Sequence, residues 1–292
     1  MKKQKIRQSM GSRVFDIVNV AVLGLVAVIM LVPFIHVMAA SFTSVEEYLS
    51  KDFILFPTTF SLESYRYIFS TGTILHGLMV SSLVTIAGTC MNLLMSVLTA
   101  YPLAHRDLFG RKVMIMLVIF TLMFNGGMIP MFIVVQKLGL LNSYASLILP
   151  YVISSFNLML FKNYFQELPV ELEEAAKMDG YNDLSILFLI ILPLSKPLLA
   201  TFAIIFGVEH WNSWFNAMLY LSDSGKWPIQ VILRQIVLSA SEVGDAMGGA
   251  NFIPPATVRM CTIVVATLPI LCIYPFLQKY FTKGLLVGSV KG

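Results

Sequence analysis

The stretch LPVELEEAAKMDGYNDLSILFLIILPLSKP, from Leu168 to Pro197, combines a short acidic segment, a turn and a longer apolar segment. Pro169 suits the beginning of a helix, and three glutamates follow it in the first turns, where the helix dipole favours negative charge. Gly180 is typical of the residue that follows a helix in left-handed geometry. The first half of the stretch therefore predicts a short helix that ends just before Gly180.

The second half of the stretch predicts another helix. Asn182 or Asp183 can cap its beginning, and apolar residues continue to position 192. Pro193 and Pro197 then predict a bend in the chain. The product is a helix–turn–helix with small residues at its tip, a shape suited to entering a groove on another protein.

The composition places this hairpin in a membrane protein. Of 292 residues, 57% are apolar and 12% are charged, which is too little charge to cover a soluble domain. The same figures exclude a disordered chain, a disulfide scaffold and a basic nucleic-acid binder. Six apolar runs are long enough to cross a bilayer, and we predict an all-α polytopic membrane protein with six transmembrane helices. The runs cover 14–38, 74–100, 113–135, 143–162, 196–220 and 257–280.

The basic residues indicate the orientation of these helices. With the N-terminus placed in the cytoplasm, the inner segments carry 13 Lys and Arg and the outer segments carry 5. This excess predicts that both termini are cytoplasmic. The apolar stretch of the first run, 17–38, is longer than the apolar region of a signal peptide, so we predict that this run is retained as a span. The inner segment 162–185 differs from the others because six acids accompany its two lysines.

The acidic segment carries a recognisable motif. Its residues fit the pattern EAA-x3-G-x9-I-x-LP at every fixed position. This pattern resembles the signature of ABC importer permeases of the type I fold. The residues that carry the resemblance are Glu174-Ala175-Ala176, Gly180, Ile190, Leu192-Pro193, Asn125–Pro130, Leu138–Asn142, Trp211–Asn216 and Gly284–Gly292. Nearly the whole chain is similar to the maltose-G-type subunit of carbohydrate importers, most closely to the subgroup for complex or acidic oligosaccharides.

The resemblance implies a function for the hairpin and a set of partners. The hairpin would dock in a cleft of an ATPase subunit and couple ATP-driven closure to alternating access. The implied partners are a homologous second permease subunit in a heterodimer, two ATPase subunits, an extracytoplasmic sugar-binding protein and the lipid bilayer of the bacterial cytoplasmic membrane. ATP and Mg²⁺ would be bound by the ATPase, with no cofactor on this chain. The implied coupling residues are Glu174, Ala175, Ala176, Asp179 and Gly180.

Sequence motifs for catalysis are missing. No segment fits G-x-x-x-x-G-K-[ST], so the sequence has no phosphate-binding loop for ATP. The four histidines are scattered, and the three cysteines lie in apolar runs without metal-ligand spacing. We therefore expect no catalytic residue and no metal site in this chain.

Polar residues within the predicted spans are candidates for the substrate path, because they are costly in a membrane. Glu209, Asn212 and Asn216 have the spacing of one helix face, and tryptophan can stack on a sugar ring. Alternatively, these tryptophans form an interfacial belt and the asparagines join helices, as expected for Asn92 and Asn157. Asn125 begins an Asn-Gly-Gly run that either unwinds the third span or packs it against a neighbour. The path candidates are Asn125, Glu209, Trp211, Asn212, Trp214 and Asn216.

The remaining segments complete the predicted organisation. A cytoplasmic N-terminus covers 1–13, and the transmembrane domain covers 14–280, with a coupling loop at 163–195 and an outer loop at 221–256. The outer loop either contacts the binding protein or only connects spans. A cytoplasmic tail at 281–292 either reaches the ATPase or is an unstructured end. The alternative function is an ion-coupled secondary transporter, which predicts repeated halves and an intramembrane ionisable relay.

Overall fold

The computed structural model describes residues 10–242 and 256–284, and within these ranges the chain is helical without strands. Two short 3₁₀ turns (Leu149–Tyr151 and Ser224–Lys226) and one π-helical turn (Leu187–Ile191) interrupt the α-helices. The α-helices are α1 (Met10–Ser41), α2 (Val45–Ser50), α3 (Glu63–Ser70), α4 (Thr73–Ala104), α5 (Arg111–Met123), α6 (Met128–Lys137), α7 (Ala145–Ile148), α8 (Ser155–Gln166), α9 (Val170–Met178), α10 (Asp183–Ile186), α11 (Leu192–Leu194), α12 (Lys196–Trp211), α13 (Trp214–Tyr220), α14 (Ile229–Glu242) and α15 (Ala256–Gly284).

Three helices are each long and apolar enough to cross a membrane, over Val14–Ser41, Thr73–Ala104 and Ala256–Ile273. Three bent helix pairs raise the number to six if each pair is one crossing. The pairs are α5 with α6, α7 with α8, and the 183–194 segment with α12, and their bends are 118°, 53° and 83°. The all-α membrane class is confirmed.

The predicted spans differ from the helices where the chain bends. The third and fourth runs are each divided into two helices, which the Asn-Gly-Gly run had indicated for the third run only. In the fourth run, Pro150 lies in a 3₁₀ turn, and Ser154 then caps α8 through the Asn157 backbone N–H. The predicted fifth span, 196–220, ends early because α12 stops at Trp211 and α13 begins at Trp214. The outer loop 221–256 includes α14, and its residues 243–255 lie outside the described residues.

The chain divides into two compact units, residues 1–71 with 236–265 and residues 72–235 with 266–292. In the second unit α4 is the central element, because it packs against α8 and α12. Several of its buried apolar residues belong to two clusters along its length. One cluster is formed by Val97, Ala100, Tyr101, Leu103, Leu158, Phe161, Phe165, Ala176, Ile186, Leu187, Ile191, Phe202 and Phe206, and the other by Val80, Val84, Val135, Leu147, Ala217, Tyr220, Leu221 and Val231.

A buried carboxylate organises the first unit after α1. Glu47 of α2 accepts hydrogen bonds from the backbone N–H groups of Thr58 (3.0 Å) and Thr59 (2.8 Å) and from both hydroxyls. Lys51 Nζ lies 2.7 Å from the same carboxylate. These bonds, with Lys51 the largest cause, hold the pKa of Glu47 well below its usual range. One charged side chain therefore joins α2 to residues 58 and 59, and we call this set of bonds the closure of the segment.

The substitution Glu47→Gln tests this closure. A carboxyl with a lowered pKa stabilises the fold fully above the ordinary glutamate pKa of about 4.3, and the effect is lost as the pH falls towards the lowered value. At pH 7 we expect Glu47→Gln to speed proteolytic cleavage within residues 44–60 severalfold, measured on the protein in lipid vesicles. Glu46→Gln is the matched control, because Glu46 is exposed on the same helix. Equal cleavage rates for Glu47→Gln and the unchanged chain would contradict the closure.

Candidate coupling surface and translocation site

The acidic helix α9 ends in a complete Schellman motif, as the sequence predicts. Asp179 is its C-cap, and Gly180 has φ +84°. The Tyr181 N–H donates to the Ala176 carbonyl (3.1 Å), and the Gly180 N–H donates to the Lys177 carbonyl (3.0 Å). A Cβ added at Gly180 would meet nothing within 4 Å. Glycine is therefore needed here for the backbone conformation rather than for packing.

The two faces of α9 differ in burial. Ala176 is 4% exposed and belongs to the apolar cluster around the end of α4. Glu174 and Ala175 are exposed, and so are Asp179 and Gly180 at the tip. Of the five predicted coupling residues, four therefore lie on an open surface and Ala176 anchors the helix. We call the exposed residues Glu171, Glu174, Ala175, Met178, Asp179 and Gly180 the tip surface.

A second contact joins α9 to α4 through polar side chains. Glu173 Oε2 lies 2.7 Å from His105 Nε2, and His105 Nδ1 lies 2.9 Å from the Tyr101 carbonyl oxygen. The two partners are 68 residues apart in sequence. His105 was not among the predicted site residues, because no local pattern links a histidine after one helix to a glutamate in another.

The chain after Gly180 also follows the predicted course. Asn182 caps α10 by accepting the Ser185 N–H at 2.8 Å. The helix continues through the π-helical turn and α11, and then bends by 83° at Ser195 before α12. The bend lies between Pro193 and Pro197, whose rings remove backbone donors at this point. The hairpin thus leads directly into α12.

The break between α5 and α6 confirms that Asn125 interrupts the third run. The Asn125 side-chain oxygen accepts the Gly127 N–H at 2.9 Å, and Gly127 has φ +85° and ψ 179°. A side chain on residue 127 would strain this conformation, which is nearly restricted to glycine. The 118° bend exposes the backbone around Asn125 rather than burying it in packing.

The predicted shared face of Glu209, Asn212 and Asn216 is wrong. Asn212 is the C-cap of α12, and the helix resumes only at Trp214, so the three side chains do not lie on one helix. The Asn212 amide instead donates to the Val208 carbonyl at 3.0 Å. Asn216 accepts a hydrogen bond from the Tyr151 hydroxyl at 3.3 Å. Asn212 and Ser213, which lie at the break, are residue types that favour helix ends, but Asn212 was assigned to the substrate path instead.

The two tryptophans of this region have different surroundings. Trp211 is buried, and its indole N–H donates to the Ala266 carbonyl at 3.2 Å. It borders an apolar cavity of about 310 Å³ with Thr85, Thr89 and Pro269. The ring of Trp214 carries the guanidinium of Arg234 at 3.8 Å. Of these two tryptophans, Trp214 is therefore the one that is partly exposed and contacts a charged group.

A buried polar network crosses the helices near these residues. The Asn92 amide donates to the carbonyls of Tyr151 (2.9 Å) and Val152 (3.2 Å), and its oxygen lies 2.8 Å from His210 Nε2. His210 therefore donates from Nε2, because the Asn92 oxygen is an acceptor. The interpretation of Asn92 as an interhelical hydrogen bond is confirmed. Within the described ranges, no group of three or more His, Cys, Asp or Glu side chains could hold a metal ion.

The sequence matches a known protein family over more than half of its length. The family described as "binding-protein-dependent transport system inner membrane component" matches residues 92–287. The chain belongs to this family. The permease is thus a non-catalytic membrane component of a transport system, and the resemblance to carbohydrate importer permeases is confirmed.

Individual relatives resemble the permease over nearly its whole length. The "polygalacturonan/rhamnogalacturonan transport system permease protein YtcP" of Bacillus subtilis is 54% identical, over 97% of the chain and 100% of the relative. Protein LplC of the same organism is 48% identical, over 97% of the chain and 96% of the relative. A crystal structure of a bacterial ABC transporter involved in the import of the acidic polysaccharide alginate contains a chain with a TM-score of 0.86 and 31% identity. The structural match covers 95% of the permease and 100% of that chain.

The close approach of α4 and α12 gives a prediction about glycine. A Cβ on Gly88 would lie 2.4 Å from His210 Nε2, whereas a Cβ on Gly207 would have its nearest neighbour, Thr89 Oγ1, at 3.7 Å. We expect Gly88→Ala to displace His210 and cost about 1–3 kcal/mol, the usual range for overpacking. Gly207→Ala is the matched control and should change little. The measurement is the thermal unfolding midpoint of the purified permease, and equal midpoints for the two variants would refute the prediction.

Proposed function

We propose that this permease forms half of the translocation path of an ATP-driven, binding-protein-dependent importer of oligosaccharides. In this proposal α9 is the coupling helix, which transmits closure of the ATPase pair to alternating access in the membrane. The observation that carries the proposal is the tip surface, a small acidic surface presented by a helix whose opposite side is buried. Such an arrangement suits docking in a protein cleft.

The connections of α9 supply a route for the motion. Ala176 packs among residues of α4, α8 and α12, and the Schellman turn leads without a flexible linker into the 183–194 segment. Displacement of α9 would therefore move α12 as a body and change the region around residues 209–216. The predicted path residues Asn125, Glu209, Asn212, Trp214 and Asn216 would act there, while the buried Trp211 would support them.

The exposed surface of α1 supports the proposal of a second subunit in the membrane. In the most apolar 18-residue window of α1, no residue is buried within the chain. A homologous second permease subunit and surrounding lipid would cover it, as a heterodimer requires. Two ATPase subunits would bind the coupling helices of the two permeases and would carry ATP and Mg²⁺. An extracytoplasmic sugar-binding protein would deliver substrate near the outer loop.

The topology follows from placing the coupling helix with the ATPase in the cytoplasm. Counting each bent pair as one crossing gives six spans in a bacterial cytoplasmic membrane, with both termini inside. The excess of Lys and Arg in the inner segments supports the same orientation. A role for residues 281–292 at the ATPase remains a separate proposal, because residues 285–292 lie outside the described residues. No observation favours a secondary transporter.

We further propose that the transported oligosaccharides carry carboxylates. One relative is named for the transport of polygalacturonan, and a similar structure belongs to an importer of the acidic polysaccharide alginate. In the permease, the guanidinium carbon of Arg234 lies 3.8 Å from the centre of the Trp214 ring, and Arg234 is exposed. A guanidinium can pair with a carboxylate through two N–H groups. Arg234 forms no ion pair with an acidic side chain among the described residues. A uronate carboxylate could therefore pair with Arg234 while its ring lies near Trp214.

Glu174→Lys tests the coupling function. The exposed side chain leaves the fold intact, but its reversed charge opposes docking, so ATP hydrolysis should continue with transport reduced at least tenfold. The measurement is sugar uptake per ATP hydrolysed by the complete importer in vesicles. Glu167→Lys is the matched control, because Glu167 is also exposed and lies in the same loop before α9. Unchanged uptake in Glu174→Lys would overturn the coupling assignment.

Arg234→Gln tests the substrate class. Loss of the guanidinium should raise the KM for carboxylate-bearing oligogalacturonides about tenfold, in line with a charge-assisted hydrogen bond. The KM for a neutral oligosaccharide of the same length should stay unchanged if the importer accepts one. Arg66→Gln, at an exposed arginine of α3, is the control. An equal KM for oligogalacturonide in Arg234→Gln and the unchanged permease would exclude this role.

A further inference from the structure

His105 lies directly after α4 and contacts the coupling helix with a complete set of hydrogen bonds. Its Nδ1 faces the Tyr101 carbonyl oxygen at 2.9 Å, and its Nε2 faces Glu173 Oε2 at 2.7 Å. The ring also packs edge-to-face against the Tyr101 ring, with centroids 4.7 Å apart and planes at 86°. Three contacts therefore fix the orientation of the imidazole.

The two partner atoms of the ring suit one form of the imidazole. A carbonyl oxygen can only accept a hydrogen bond, and so can an ionised carboxylate. A neutral imidazole has one N–H group, whereas both ring nitrogens face acceptors here. The imidazolium satisfies both contacts at once. The end of α4 adds to this preference, because the negative end of the helix dipole stabilises a cation.

The other charged groups near His105 include both positive and negative side chains. Arg106 and Asp107 follow it in the chain and border the same cavities, while Lys177 and Asp183 face it from the hairpin. Lys177 and Asp183 are 3.3 Å apart and exposed, so they largely compensate each other. Arg111 is engaged with the Leu103 carbonyl at 2.9 Å. Glu173 is therefore the one carboxylate within the described residues that contacts the His105 ring directly.

Water can reach this bridge. The His105 side chain is 25% exposed and the Glu173 side chain is 18% exposed. Two cavities, of about 300 and 520 Å³, open beside the ring on either side of the end of α4. Protons can therefore exchange between His105 and the solution without any rearrangement of the helices.

The coupling helix depends on such contacts for its position. It has nine residues, fewer than the roughly 12–15 that an isolated helix needs for stability in water. Its contacts with the membrane helices include the packing of Ala176 and the bond of Glu173 to His105. The packing of one small side chain restricts the angle of the helix only weakly. The bond to His105 is a second point of attachment, which restricts this angle further.

We propose that His105, as an imidazolium, is a positioning residue for the coupling helix, and that the transport yield per ATP therefore falls as the cytoplasmic pH rises. This inference rests on the proposed coupling function of α9. Deprotonation removes one of the two N–H donors, so the ring can no longer hold both Tyr101 and Glu173. The helix then docks with the ATPase in a less uniform orientation, and hydrolysis is less often followed by transport.

The test measures sugar uptake per ATP hydrolysed by the complete importer in vesicles, with the pH of the cytoplasmic face varied between about 6 and 8.5, the range in which imidazole ordinarily changes charge. We expect the yield of the unchanged permease to fall two- to fivefold across this range, as for loss of a partly exposed charged pair. His105→Gln should give a low yield at every pH. His105→Lys keeps a positive charge throughout, so it should restore part of the yield and remove its pH dependence.

Two further variants separate the bridge from general damage. Glu173→Gln should lower the yield as much as His105→Gln, and the double variant should lower it no further, because the two residues act as one pair. His76→Gln is the control, since His76 is a histidine whose Nε2 bonds a backbone oxygen elsewhere, at Gly225. Its pH profile should equal that of the unchanged permease.

The outcomes distinguish this inference from the proposed function. If Glu174→Lys abolishes uptake while His105→Gln keeps the yield and pH profile of the unchanged permease, only the role of His105 is overturned. The same holds if His105→Lys retains the full pH dependence, because the titrating group then lies elsewhere. If Glu174→Lys leaves uptake unchanged, the coupling function of α9 itself fails.

Discussion

A chain in the hydrocarbon core must satisfy every backbone N–H and C=O group itself, and the fold depends on how it does so at each helix break. The breaks in this permease each have a local solution. Asn125 supplies a side-chain acceptor for the Gly127 N–H, and Asn212 returns its amide to the preceding turn. At the end of α4, side chains of His105, Arg111 and Gln166 reach the last carbonyl groups. Polar residues in these apolar runs thus form hydrogen bonds with backbone groups, whether or not they also contact a substrate.

The same requirement gives α4 its central place. This helix has 32 residues without a break, and buried side chains occur from its first turn to its last. Asn92 in its middle joins α12 through His210, and His105 after its end joins α9 through Glu173. The region around residues 209–216 and the proposed coupling helix are consequently both attached to α4. In the proposed function, a displacement at either place would be transmitted by packing and hydrogen bonds.

Features that depend on neighbouring residues were predictable from the sequence. The helix caps at Asn182 and Gly180 and the interruption at Asn125 follow from the chemistry of a few adjacent side chains. The break after Trp211 was missed because the polar residues Asn212 and Ser213 were interpreted as part of one continuous helix face, although such residues also favour helix ends. Contacts such as Glu173 with His105 were missed for a different reason. They depend on how helices pack, which the spacing along a single chain does not contain.

The structure also gives a physical account of the motif on which the functional proposal rests. Ala176, Ile190 and Leu192 pack against the apolar cluster at the end of α4, and a larger residue than Ala176 would push the hairpin away from it. Gly180 supplies the left-handed turn, and Pro193 lies beside the bend into α12. Most of the fixed positions therefore build and attach the hairpin, while Glu174 and Ala175 remain exposed. If the hairpin has the proposed function, the motif is specific because a single spacing must satisfy two demands. It must attach the hairpin firmly to the membrane helices and present a small surface to which another protein can bind.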